Sequence, residues 1–98
     1  MPTPYTKLQS SNGTVTTAGT AVQVNPVSTP CASLTLTANE GNTGELCYGG
    51  SNVKAAVSGR IGTPLVQGQS VTLAIDDLSK VYIDAVNSGD GFSYSWLS

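Results

Sequence analysis

The sequence predicts an all-β fold: a small antiparallel β-sandwich or jelly roll of about seven to eight strands, preceded by an extended N-terminal arm. Ten of the 98 residues are Val, a β-branched residue that packs well on a pleated sheet. Short runs of alternating apolar and polar residues follow one another, with turn residues between them. Apolar residues do not recur at helical spacing over any long stretch, so no long helix is expected.

The chain divides into two parts by composition. Residues 1–13 are predicted to form the arm, and residues 14–98 the β-sandwich domain. Pro2 and Pro4 favour extended backbone and remove two amide donors from the arm. A flexible segment of this kind can become ordered when it docks on a partner, as an added strand or clamp.

Alternation is clearest in the middle of the chain. Residues 14–17 and 20–24 are predicted to form a hairpin or one bent strand. In residues 32–38, Ala and Leu alternate with Ser and Thr, which predicts a strand with one buried face. A turn over 40–44 then leads into residues 45–48, so we expect these two strands to pair as a hairpin.

The second half of the chain carries four more strand patterns and one short helical turn. Residues 53–57 and 71–75 alternate, the latter most strongly. A single helical turn is expected over 77–79. Residues 81–85 place Val81, Ile83 and Ala85 on a core face, and residues 92–97 alternate aromatic residues with Ser.

Both cysteines are expected to be reduced thiols. The N-terminus lacks the apolar block of a signal peptide, which predicts a protein made in the cytoplasm, where disulfides are rare. If residues 32–38 and 45–48 pair in one sheet, Cys47 lies opposite Thr37, roughly 20 Å along the strand from Cys31. Unless those two strands belong to different sheets, the sulfurs cannot meet.

Composition argues against most enzymes and several partner classes. The chain has no His, which removes the commonest general base and most zinc and copper sites. The chain has four basic and six acidic residues, and the basic residues do not cluster. Nucleic acid and membrane surfaces are therefore not expected partners. We expect no enzymatic activity, no cofactor and no metal.

Two patterns that resemble catalytic or metal sites have simpler explanations. Ser51 and Lys54 have the spacing of serine–lysine acyl-transfer enzymes, but that motif needs a helix and these residues lie in a strand-like run. Calcium is an alternative for the acidic side chains, but none of the loops has the dense alternation of acids that a calcium loop needs. We expect these carboxylates to bond nearby backbone instead. They are Asp76, Asp77, Asp84 and Asp90.

A contact surface is the site that the sequence favours. Phe92 and Tyr94 are expected in the core, because a small sandwich needs large side chains to fill it. Near the chain end, fraying makes burial less certain, so a partner subunit is an alternative cover for aromatic and apolar groups there. The candidate interface residues are Pro4, Tyr5, Leu8, Tyr82, Trp96 and Leu97.

Four segments together resemble a known group of proteins: residues 28–38, 42–53, 64–85 and 88–96. They read STPCASLTLTA, NTGELCYGGSNV, PLVQGQSVTLAIDDLSKVYIDA and SGDGFSYSW. In these segments the chain is similar to small β-sandwich structural proteins of tailed bacteriophage particles, and the similarity extends from Gly13 to Trp96.

The resemblance implies a function without catalytic residues. It implies a capsid decoration, or cement, protein that binds and stabilises the assembled lattice at the virion surface. The expected partners are the major capsid protein or another virion protein, together with further copies of the chain, with a trimer favoured. The alternatives are a neck, tail or fibre component, or a carbohydrate-contacting module with exposed Tyr48, Tyr82 or Trp96.

Overall fold

The computed structural model describes residues 7–98, which fold into eight strands and one short 3₁₀ turn. The turn spans Leu78–Lys80. The strands are β1 (Leu8–Thr14), β2 (Val22–Gln23), β3 (Ser33–Ala38), β4 (Leu46–Gly49), β5 (Thr63–Leu65), β6 (Ser70–Leu73), β7 (Tyr82–Ala85) and β8 (Gly91–Leu97).

The strands form two four-stranded antiparallel sheets in jelly-roll order. The front sheet has the order β1-β8-β3-β6, and the back sheet has the order β2-β7-β4-β5. Strand β1 pairs with β8, β2 with β7, β3 with β6, and β4 with β5. The chain is therefore a long hairpin whose successive pairs alternate between the two sheets, as in a jelly roll. The predicted fold class is confirmed.

The core lies between the sheets and follows the predicted alternation. On β3, Leu34, Leu36 and Ala38 are buried, while the Ser and Thr residues between them are only partly buried. On β8, the rings of Phe92 and Tyr94 stack with centroids 5.9 Å apart, and Tyr94 stacks on Trp96 at 5.5 Å. These side chains supply much of the apolar area that stabilises the sandwich.

Strand pairing differs from the prediction in the first half of the chain. Strands β3 and β4 lie in different sheets, so the hairpin expected between 32–38 and 45–48 is wrong. The hairpin or bent strand expected over 14–17 and 20–24 is also wrong, because β1 ends at Thr14, β2 spans only Val22–Gln23 and the two belong to different sheets. In both cases the chain crosses to the opposite layer instead of turning back beside itself.

Two predicted boundaries also differ from the structure. Strand β1 spans Leu8–Thr14, so the predicted division after residue 13 falls inside a strand of the front sheet. Residues 53–57, predicted as a strand, form a loop with a single bridge between Lys54 and Ile61. In this loop Val53 and Ala55 are buried against the outer face of the back sheet, which accounts for two of the three apolar positions in the alternation, while Val57 is exposed.

Candidate functional site

Both termini of the described chain, Lys7 and Ser98, lie at the same end of the sandwich, which we call the terminal end. Strand β1 starts there and β8 finishes there, with Lys7 and Ser98 bonded through their backbones at 3.0 and 3.3 Å. The loops 24–32 and 74–81 cross between the sheets at the same end. Four candidate interface residues with described positions lie at the strand termini here: Leu8, Tyr82, Trp96 and Leu97.

Leu8 and Leu97 form an apolar pair on the outer face of the front sheet. They are register partners across β1 and β8. Leu8 is 72% exposed and Leu97 is partly buried. Val27, in the 24–32 loop, is 68% exposed at the same end. Contiguous exposed apolar side chains mark contact surfaces, so the Leu8–Leu97 pair is the candidate contact here. Three further apolar side chains are exposed in other loops: Val57, Ile61 and Val66.

Trp96 belongs to the core and not to an exposed surface. Its side chain is only 8% exposed, so, of the two alternatives that the sequence left open, the core already covers the indole without a partner subunit. The reason is topological: β8 is a central strand, paired to β1 and to β3 as far as Leu97. Two neighbouring strands hold the end of β8 against fraying and keep the indole inside.

The other candidates lie apart from Leu8 and Leu97. Tyr82 is half-buried and packs against a second apolar cluster on the outer face of the back sheet, around Cys47 and Val53. Pro4 and Tyr5 lie outside the described residues, as does the first half of the predicted arm.

Asp77 fixes the loops of the terminal end to one another. One of its carboxylate oxygens accepts hydrogen bonds from the backbone N–H groups of Thr29 and Ser79, both at 2.9 Å, and the other accepts from the Ser28 hydroxyl. These bonds, that of Ser28 foremost, hold the pKa of Asp77 well below its usual range. The 24–32 loop is therefore held in place before any partner binds.

A groove of about 320 Å³ opens between the sheets at the terminal end. Its walls are mainly apolar and include Tyr48, Leu73, Ile75 and Val81. Lys80 also lines it and pairs with Asp76 at 2.8 Å. A groove of this size and lining is able to take an apolar side chain of a partner.

Asp84 and Asp90 also hold loops, but through backbone donors far away along the chain and not, as the sequence predicted, through nearby backbone. Asp84 is fully buried on the outer face of the back sheet, where it accepts bonds from the backbone N–H groups of Gly19 at 2.9 Å and Ala55 at 2.8 Å. Asp90 accepts from the backbone N–H groups of Thr43 and Gly44, both at 2.9 Å. Among residues 7–98, no three metal-ligating side chains come together.

The other chemical candidates are placed as follows. Ser51 and Lys54 are exposed in the loop after β4 and are not on a helix. Cys31 and Cys47 are free thiols, with Cys47 fully buried. Burial is the main cause that raises the pKa of both thiols, so neither is an activated nucleophile.

The outer face of the front sheet is a feature that sequence reasoning did not assign to a site. Its side chains are mostly Ser and Thr, and they bond in rows across the strands: Thr35 to Thr72 at 3.2 Å and Thr37 to Ser70 at 2.6 Å. The Ser and Thr residues that alternate with apolar residues in each strand pattern predicted a polar outer face. What the sequence did not reveal was which strands lie side by side.

No protein-family model matches the chain, and comparison with curated proteins and with solved structures also found no match. None of the helical segments in residues 7–98 is long and apolar enough to span a membrane.

Proposed function

We propose that this chain is a non-enzymatic structural protein of a bacteriophage particle, a capsid decoration protein that binds the assembled lattice through its terminal end. The observation that supports it best is that exposed Leu8 and Val27, partly buried Leu97 and an apolar groove lie at the same end of the sandwich, where β1 begins. The resemblance to phage structural proteins supplies the partner: the major capsid protein or another virion protein at the capsid surface.

The mechanism follows from mass action. A protein that binds the assembled lattice and not its separate subunits shifts the equilibrium towards the lattice. The Asp77 bonds that hold the 24–32 loop lower the entropy lost on docking, because fewer groups need to be ordered. Many copies on one particle then add their small contributions.

A non-enzymatic role is supported by the state of the acidic groups. Asp77, Asp84 and Asp90 all accept hydrogen bonds from backbone N–H groups of loops, which gives each a structural task. The carbohydrate-contacting alternative needed exposed rings, and Trp96 lies in the core while Tyr48 and Tyr82 are half-buried. The capsid proposal is therefore the better supported of the two.

The test is cosedimentation of purified protein with expanded capsids that lack it. Leu8→Ser and Val27→Ser should each weaken binding about tenfold, since each removes exposed apolar area from the proposed contact. Val57→Ser is the matched control, because Val57 is 78% exposed in the loop over the back sheet and should bind as the unchanged protein does. Absence of binding to the capsids, or equal weakening by all three changes, would remove the proposal.

A further inference from the structure

The four sheet edges of residues 7–98 differ in how they are protected against pairing with another strand. Short length, proline and charge are the usual protection. Strand β2 has two residues, β5 has three and includes Pro64, and β6 has four. Strand β1 has seven residues, Leu8–Thr14, without a charge or a proline. It is the one edge in this part of the chain that is long and unprotected.

The backbone groups that β1 presents outwards follow from its ladder with β8. Lys7 and Ser98 exchange both backbone hydrogen bonds. Since bonded and non-bonded pairs alternate in an antiparallel ladder, Gln9, Ser11 and Gly13 also bond to β8. The N–H and C=O groups that point away from β8 belong to the residues between them. These are Leu8, Ser10, Asn12 and Thr14.

We infer that β1 pairs antiparallel with β1 of a second copy, around a two-fold axis at Ser11. This register places Leu8 opposite Thr14 and Ser10 opposite Asn12, so all the outward groups find partners. The two-fold axis repeats both pairings with the copies exchanged, which gives four pairs. Each pair exchanges two backbone hydrogen bonds, so the contact has roughly eight. The two front sheets then form one continuous eight-stranded sheet with a single Ser- and Thr-rich outer face.

Side chains on the inner side of β1 fit the same register. Gln9 of each copy lies opposite Gly13 of the other, and Gly13 has no side chain there. A Cβ at Gly13 would lie 2.4 Å from the Phe92 ring of its own chain. Gln9 and Ser11 are exposed, so the back sheet does not cover this side of β1.

Charge does not oppose the contact. In this register Lys7 of one copy lies opposite Val15 of the other, and the two Lys7 residues are at opposite ends of the contact, roughly 25 Å apart. Screening by salt makes repulsion over that distance small. The contact is short, so we expect a dissociation constant in the micromolar range.

Sedimentation of the protein alone over a range of concentrations tests this inference. The unchanged chain should shift from its monomer mass of 10.0 kDa to twice that mass. Ser10→Pro should raise the dissociation constant at least tenfold, because it removes an outward N–H but no bond to β8. Thr72→Pro is the matched control on the β6 edge, where the N–H also points outwards, and it should leave dimerisation unchanged.

Two further measurements keep the inference testable if Ser10→Pro does not fold. Ser10→Lys retains the backbone groups but places two ammonium groups near the two-fold axis, and it should also abolish the dimer. Amide exchange at Ser10 and Asn12 should slow as the concentration of the unchanged protein rises. A monomer at every concentration, a trimer as the sole larger species, or a dimer unaffected by both Ser10 changes would overturn it. The inference does not rest on capsid binding, which these measurements leave out.

Discussion

Removing the Asp84 carboxylate should destabilise the protein more than any other change to an acidic residue described here. Asp84 is fully buried and bonds the backbone N–H groups of Gly19 and Ala55, which belong to two different loops over the back sheet. Asp84→Ala leaves both donors without this acceptor. The buried Ala55 donor costs about 1–3 kcal/mol when it is left without a partner, the Gly19 donor is only partly buried and costs less, and relief from burying a charge offsets part of that sum.

We therefore expect Asp84→Ala to lower the free energy of unfolding by about 2 kcal/mol, out of a total of about 5–10 kcal/mol for a domain of this size. With an m-value of about 1.2 kcal/mol/M, the urea midpoint should fall by about 1.5–2 M. Asp84→Asn keeps one acceptor oxygen, so its shift should be about half as large. Fluorescence of the buried Trp96 reports the transition.

The control for this prediction is Asp76→Asn. Asp76 is exposed and pairs with Lys80 at the surface, where ion pairs add little to stability, so its urea midpoint should match that of the unchanged protein. A midpoint for Asp84→Ala within about 0.5 M of the unchanged protein would refute the claim that this carboxylate holds the loops.

Three other predictions concern the core, pH and the thiols. Gly13→Ala should destabilise by about 1–3 kcal/mol in urea titrations, because the new Cβ overlaps the Phe92 ring; a neutral result would contradict this packing. The pKa of Asp77 is lowered on folding, so its contribution to stability is present above about pH 4 and lost as pH falls further. Stability of Asp77→Asn should consequently converge on that of the unchanged protein in acid, and a constant difference down to low pH would oppose it. Maleimide should label partly exposed Cys31 in the folded protein, whereas fully buried Cys47 should react only on unfolding; equal rates would count against the burial.

Some of the terminal end was predictable and some was not. Leu8 and Leu97 were both candidates by type and position, but only the β1–β8 register makes them neighbours. The burial of Trp96 stayed open, because its nearness to the chain end is visible in sequence, whereas the strands on both sides of β8 are not. The sequence predicted that Asp77 accepts hydrogen bonds from nearby backbone. It did not predict the bond from the N–H group of Thr29, which is 48 positions away.

The sequence alone determined the fold class and most of the core. Side chains in a strand alternate between two faces, so the Leu residues of 32–38 and the rings of 92–97 reveal which face is buried wherever those strands lie. The tertiary structure decided which strands are neighbours, because pairing depends on contacts between distant segments that a local pattern does not encode. That choice sent β3 and β4 to opposite layers and left β1 as the long free edge. It also folded the apolar run at 53–57 over the back sheet as a covering loop instead of a strand.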